Sequence, residues 1–234
     1  SIETNVDSLE QVADNQKTFI ANLAHEMKTP LTSILGFADI LRVKKVVTEA
    51  ERREYAGVIV EETKRLRSLS GKLMELITVG NTQLDFQRIS LPDLVREVEI
   101  SLQPSLALRE MNLRCVVPDV EVRVDKELFK SLLYNLADNA MKASKAGQTV
   151  EFLGGLAPDG HPVLIVSDSG MGIPQKEIAK IVQPFYMLDK VRSRKAGGAG
   201  LGLALCVEIA RLHGIRLTIE SELGKGTQVY LTFD

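Results

Sequence analysis

Tyr55, Ile59, Glu62, Leu66, Leu69, Leu73 and Leu76 follow one another in alternating steps of four and three residues. Only a helix returns such positions to one side, and this alternation narrows that side to a coiled-coil seam. The seam is apolar except at Glu62. A second stripe precedes it. At about 100° per residue, Phe19, Ile20, Leu23, Met27, Leu31, Ile34, Ala38 and Leu41 fall within about 120° of one another. The run VKKVVTEAER between the two stripes supplies a turn, with Thr48 as N-cap and Glu51 as its capping-box partner. Two long helices joined this way make a hairpin. One hairpin cannot bury both stripes, so two copies are expected to pair as a four-helix bundle.

From about Gln83 the texture changes. Short β-type runs (RCVV, VEVRV, TVEFLG, VLIVSD, RLTIES, TQVYLTF) alternate with helical segments near Leu91–Glu110, near Asp125–Lys145 and from about Gly200 to His213. Asp125 is placed to cap the second of these, and Gly214 ends the third. APDGHP separates two strands as a hairpin loop. Strands arriving partly as hairpins and partly between helices favour an α+β sandwich over a doubly wound sheet.

With 234 residues, 44% of them hydrophobic, the chain can build one or two real cores. Its 29 basic and 31 acidic residues give a net charge of -2. That balance provides no global pull toward nucleic acid or an anionic membrane, so any phosphate binding must be local. Cys115 and Cys206 form no C-x-x-C and read as reduced core residues of a cytoplasmic protein. No apolar run approaches the roughly 18–20 residues that span a bilayer. The chain begins at Ser1 rather than at a methionine, as expected of a piece cut from a longer protein.

The sequence FIANLAHEMKTP sets a histidine and a proline on the first helix. His25 falls about 160° from the centre of the apolar stripe, so it faces water. Glu26 is its neighbour, and Thr29 lies one turn further along the same face. Pro30 has no N–H to offer the carbonyl of Glu26, so a bend or loosening is expected just after His25. An exposed imidazole beside a carboxylate and a disturbed backbone suggests a reactive site. His161 in the APDGHP turn and His213 beside Gly214 read as ordinary surface or helix-end residues, a cation at His213 meeting the negative end of the dipole.

Three stretches of the second region carry further chemistry. NLADNA sets Asn135 and Asn139 on one helix face, with Lys142 three residues on. SDSGMGIP holds Asp168 ahead of Gly170 and Gly172. KAGGAGLGLAL runs Gly197, Gly198, Gly200 and Gly202 into a helix, a turn that exposes unpaired N–H groups suited to phosphate. It is neither a Walker A loop nor a G-x-G-x-x-G turn following a strand. Asparagine oxygens can hold Mg²⁺ only with phosphate and water completing the octahedron. Lys190, Arg192, Arg194 and Lys195 lie between the glycine stretches, in a segment that could act as a lid over phosphates.

In this order the motifs resemble those of sensor histidine kinases of bacterial two-component systems. FIANLAHEMKTPLTSI is similar to the family's H-box, LLYNLADNAMKAS to its N-box, and SDSGMGI to its first glycine box. QPFYMLDK resembles the F-box, GGAGLGLAL the second glycine box, and ELGKGTQVYLTF the closing strand motif. The resemblance covers residues 17–234. It implies an α+β chain: a helical hairpin dimerising into a four-helix bundle, then an α/β sandwich ATPase domain of the histidine kinase/topoisomerase/chaperone type. Residues 1–16 are then the end of a helical linker, 17–82 the dimerisation and phosphotransfer domain, and 83–234 the catalytic domain.

The resemblance also implies roles. His25 is the phospho-acceptor, Glu26 orients it or takes its proton, and Thr29 positions water for dephosphorylating a partner. ATP and Mg²⁺ are the implied cofactors, with Asn139 on the metal and Asn135 in the same shell. Lys142 contacts phosphate, Asp168 accepts from the adenine amino group, and Gly170 and Gly172 let backbone approach the ring. Lys190, Gly198, Gly200, Leu201 and Gly202 complete the nucleotide site. Ala199 stands where the family often has Thr or Ser, which implies weaker nucleotide binding. The implied partners are a second copy and the receiver domain of a response regulator, with no nucleic acid. Membrane contact is expected only through upstream segments, the chain being the cytoplasmic portion of a membrane-anchored sensor. Two rivals stay open: a non-catalytic dimeric scaffold with a degenerate nucleotide site, and an ATPase of the same fold used for conformational work.

Overall fold

Both stripes are helical. Helix α1 (Ile2–Val43) carries the first and α2 (Glu49–Val79) carries the seam. The computed structural model describes residues 2–80, 83–158, 160–188 and 198–233. These fall into two compact units, Ser1–Leu73 and Met74–Asp234.

In the first unit, α1 runs through Pro30 as one uninterrupted element, so the missing N–H does not break it. The turn is fixed by the reciprocal cap that Thr48 and Glu51 were expected to form. Thr48 Oγ1 accepts from the Glu51 N–H at 3.2 Å, and Glu51 Oε2 accepts from the Thr48 N–H at 3.0 Å. Lys44 Nζ adds a 2.5 Å ion pair to Glu51. The Lys44 bond, followed by the two Thr48 bonds, pulls the Glu51 carboxyl down to about 2. Beyond the turn, Phe37 meets Tyr55 with ring centroids 5.4 Å apart, and Glu26 meets Arg65. Partners that recede together from the turn make the hairpin antiparallel. Tyr55, Ile59, Glu62, Leu66 and Leu73 are half-buried and Leu69 is buried, as the seam requires.

The second unit takes in the last turns of α2, where Val79 joins the core and Leu76 packs against it. Strand β1 (Phe86–Ser90) pairs antiparallel with β3 (Glu121–Asp125). Helix α3 (Leu91–Leu108) begins at Ser90, whose hydroxyl accepts from the Asp93 N–H, and buries Leu94, Val98 and Leu102. Strand β2 (Asn112–Val116) precedes β3, and α4 (Lys126–Ala143) follows it. A larger sheet contains β2, β4 (Thr149–Leu156), β5 (Pro162–Asp168), β6 (Ile215–Glu222) and β7 (Gly226–Phe233), in the order β2-β4-β5-β7-β6. Only the β2–β4 pair is parallel. A short 3₁₀ turn (Gln175–Glu177) leads into α5 (Ile178–Ile181), and α6 (Gly202–His213) ends on Gly214 with φ 68°. One core lies between α3, α4 and α6 and a single face of this sheet. Alternate residues of β6 point away from that core, as in a sheet packed on one side.

Candidate functional site

The hairpin places His25 in water, as its helical angle predicts. Thr29, half-buried, turns its hydroxyl back onto the His25 carbonyl at 3.4 Å. Glu26 does the opposite of its neighbour. It is only 4% exposed, and its carboxylate accepts from Arg65 Nη2 of α2 at 3.1 Å. The other arm of the guanidinium, Nη1, lies 3.7 Å from Glu62 Oε2. The helical period sets neighbours about 100° apart, so one side chain faces solvent while the next turns toward α2. A carboxylate withdrawn from water needs a cation or hydrogen-bond donors, and Arg65 supplies both.

The second unit holds a cavity of about 130 Å³. Leu136, Asn139 and Ala140 of α4 form one wall, Val166 and Asp168 of β5 and Thr227 of β7 another, and Met171 and Gly172 the rim. Asp168 is the charged group that matters here. Burial pushes its carboxyl up to about 6, opposed by the main-chain N–H groups of Gly170 and Thr227. The Gly170 N–H reaches Asp168 Oδ1 at 2.8 Å. Glycine is required on this rim. At Gly172, with φ 67°, an added Cβ would stand 2.0 Å from the Glu222 carbonyl oxygen. At Gly170 it would stand 2.6 Å from that of Ala143.

The remaining expected residues divide. Asn139 lines the cavity. Asn135 is 5% exposed and donates its amide to the Ser131 carbonyl at 2.9 Å, so it braces α4 from a position off the cavity lining. Ser131 in turn donates to Glu75 in the last turns of α2. Lys142 is paired with Asp138 at 2.7 Å. Gly198 and Gly200 lead into Leu201, fully buried, and Gly202 opens α6 with no side chain capping its first turn. The Gly200 carbonyl accepts from the Phe185 N–H at 2.8 Å, which fixes one approach to that helix end. Lys190, and the proposed lid around it, lie outside the described residues.

Thr227 escaped the sequence reading as a site residue. Its signal was the G-x-G-T run of GKGTQV, which looks like a strand start until β7 is paired with β5. That pairing sets Thr227 opposite Asp168. Chemically, an apolar slot with one buried acceptor suits a flat heteroaromatic ring bearing an exocyclic N–H. The uncapped start of α6 suits phosphate, and Asn139 offers a neutral oxygen to a divalent ion.

Known proteins share both units. Residues 15–81 match the model of the His Kinase A (phospho-acceptor) domain, and residues 124–234 match that of the histidine kinase-, DNA gyrase B-, and HSP90-like ATPase. Sensor histidine kinase YkoH of Bacillus subtilis is 34% identical over 96% of this chain and 49% of its own length. Sensor protein kinase WalK of Staphylococcus aureus is 30% identical over 97% of this chain and 55% of its own. The chain therefore spans about half the length of the curated relatives it matches. Among solved structures, histidine kinase ThkA in complex with response regulator protein TrrA superposes with a TM-score of 0.76 at 24% identity, over 99% of this chain and 65% of that one.

Proposed function

The chain belongs to the sensor histidine kinases of two-component systems, and we propose that it autophosphorylates His25 from Mg·ATP and passes the phosphoryl group to an aspartate of a response regulator. One observation carries this reading. A single chain bears an exposed imidazole on a helical hairpin and, in its other unit, a glycine-rimmed slot built around a buried carboxylate.

Phosphoryl transfer asks a protein for positioning and charge neutralisation more than for covalent chemistry. Bound ATP would supply the phosphoryl group, and an accompanying Mg²⁺ would neutralise its charge. Asp168 accepts a hydrogen bond from the adenine amino group, while Gly170 and Gly172 keep the rim open to the ring. Asn139 would hold the Mg²⁺. Asn135 supports the same helix, and Lys142, Lys190, Gly198, Gly200, Leu201 and Gly202 serve the phosphate side. On the hairpin, His25 is the nucleophile, Glu26 takes or directs its proton, and Thr29 positions water when the regulator is dephosphorylated. The working divisions are 1–16 as linker, 17–82 as dimerisation and phosphotransfer domain, and 83–234 as catalytic domain. The functional unit is a homodimer, docked by a receiver domain, forming the cytoplasmic part of a membrane-anchored sensor.

Incubation with γ-labelled MgATP tests the proposal. Wild-type protein should acquire acid-labile label. His25→Gln should acquire none while binding a fluorescent ATP analogue as before. Label retained by that variant would overturn the assignment.

A further inference from the structure

Ser221 of β6 and Thr227 of β7 are register partners, and their hydroxyl oxygens lie 2.9 Å apart. Which of the two donates follows from the other neighbours of Ser221. Its Oγ stands 2.7 Å from the Gly226 carbonyl oxygen. Two oxygens that close need a hydrogen between them, and a carbonyl has none to give, so the serine donates. The N–H of Ile173, the residue after Gly172 on the rim, donates to the same Oγ at 2.8 Å. With its one hydrogen committed to Gly226, Ser221 can only accept from Thr227. The Thr227 hydrogen is thereby turned toward β6, and this hydroxyl has lone pairs alone to offer elsewhere. Thr227 lines the cavity on the same face of β7 as Val229, and β7 sets it opposite Asp168.

We infer that Ser221 is a positioning residue of the base slot: it holds the Thr227 hydroxyl as a pure acceptor there, and so disfavours rings that carry a carbonyl where adenine carries its amino group. The inference rests on reading the cavity as the seat of the adenine ring. An ionised Asp168 accepts from the 6-amino group of adenine, but it can accept as well from the ring N–H of a 6-oxopurine. The carboxylate alone therefore separates the two poorly. Thr227 supplies the difference. Next to an amino group its lone pairs meet N–H, whereas next to a carbonyl they meet other lone pairs. The hydroxyl cannot turn to donate without giving up its bond to Ser221. Ser221 acts on the ligand only through Thr227. A second tie, from the Gly224 N–H to the Met171 carbonyl at 2.8 Å, holds the β6–β7 turn to the rim independently of the serine hydroxyl.

The test is displacement of a fluorescent ATP analogue from the full chain by ATP and by inosine triphosphate, both with Mg²⁺. It is run at pH 8, where the Asp168 carboxyl, which titrates at about 6, is ionised. Wild type should prefer ATP. Ser221→Ala frees the Thr227 hydrogen to meet a carbonyl, so this preference should fall about tenfold, the worth of one misdirected hydrogen bond. A serine that only braced the strands would weaken both nucleotides alike and leave their ratio where it was. Ser221→Thr keeps a hydroxyl and should keep the preference. Thr227→Val deletes the acceptor and should lower the ratio, and adding Ser221→Ala to it should lower the ratio no further. If circular dichroism shows Ser221→Ala unfolded, the nearly isosteric Ser221→Cys, a much weaker hydrogen-bonding group, takes its place. An unchanged ratio in the folded variant, or a wild type that binds the two nucleotides equally, overturns the role of Ser221 and leaves the base slot standing. A wild-type chain that binds neither nucleotide overturns the slot as well.

Discussion

Asp168 combines a proposed binding role with a cost to folding. Its folded carboxyl titrates at about 6, against 3.8 for an ordinary aspartate, chiefly because burial disfavours the charge. Folding therefore takes up a proton between those two values. The stability that this group permits is greatest below 3.8, declines as pH rises through the window to about 6, and is flat above it. At about 1.4 kcal/mol per unit, the carboxylate form burdens the fold by on the order of 3 kcal/mol. Asp168→Asn should thus gain in melting temperature over wild type as pH climbs from 4 to 6.5. The same variant should bind an ATP analogue at least about tenfold more weakly, because its amide also presents a donor to the adenine amino group. A variant that melts lower at neutral pH would contradict the burial argument. Thr29→Ala should spare autophosphorylation yet slow regulator dephosphorylation about tenfold or more, the share expected of a group that positions a reactant. Equal loss of both activities in a labelling and chase experiment would reduce Thr29 to a helix support. The exposure of His25 was legible because helical angle alone decides it. The burial of Glu26 was not, because its partner lies 39 residues away on the other helix.

Helix ends show the same division between local and distant causes. Thr48, Asp125 and Gly214 were readable as caps because each acts within a few residues of itself. Strand β1 was missed because FQRIS is largely exposed and follows no alternation, and only β3 gives it a partner. The short Gln175–Ile181 segment was missed for want of length. His213 was read as an ordinary helix-end residue, and the structure gives it two bonds besides. Its Nε2 accepts from the Asp125 N–H at 3.0 Å, so that nitrogen carries no proton, and Nδ1 then donates to the Ile209 carbonyl at 2.8 Å. The ring ties the end of α6 to the start of α4, with Phe86 meeting it edge-on at 5.5 Å. His213→Ala removes a partly buried bond and an aromatic contact, so it should cost about 2–3 kcal/mol. Urea denaturation followed by circular dichroism measures this, with a smaller loss expected for His213→Asn, which keeps an acceptor.

The proposed pairing of two copies draws on what the hairpin leaves uncovered. Ile20 is 57% exposed, Leu35 64% and Val60 50%, all on helices whose inner faces are already in use. Two α-helices cannot enclose more than the stripe between them, so this surface calls for a second pair. Leu35→Glu puts a charge on that surface while disturbing little within one chain, since the side chain is mostly in water there already. Wild type should therefore sediment at twice its 25.8 kDa mass at micromolar concentration, and Leu35→Glu at the single mass. Helical content should fall only modestly, and ATP-analogue affinity should not change, because the proposed nucleotide cavity is built wholly from the second unit. A variant that stays dimeric would move the interface off this face of α1. One that loses nucleotide binding as well would mean that the cavity depends on the paired hairpins, which its own closed core argues against.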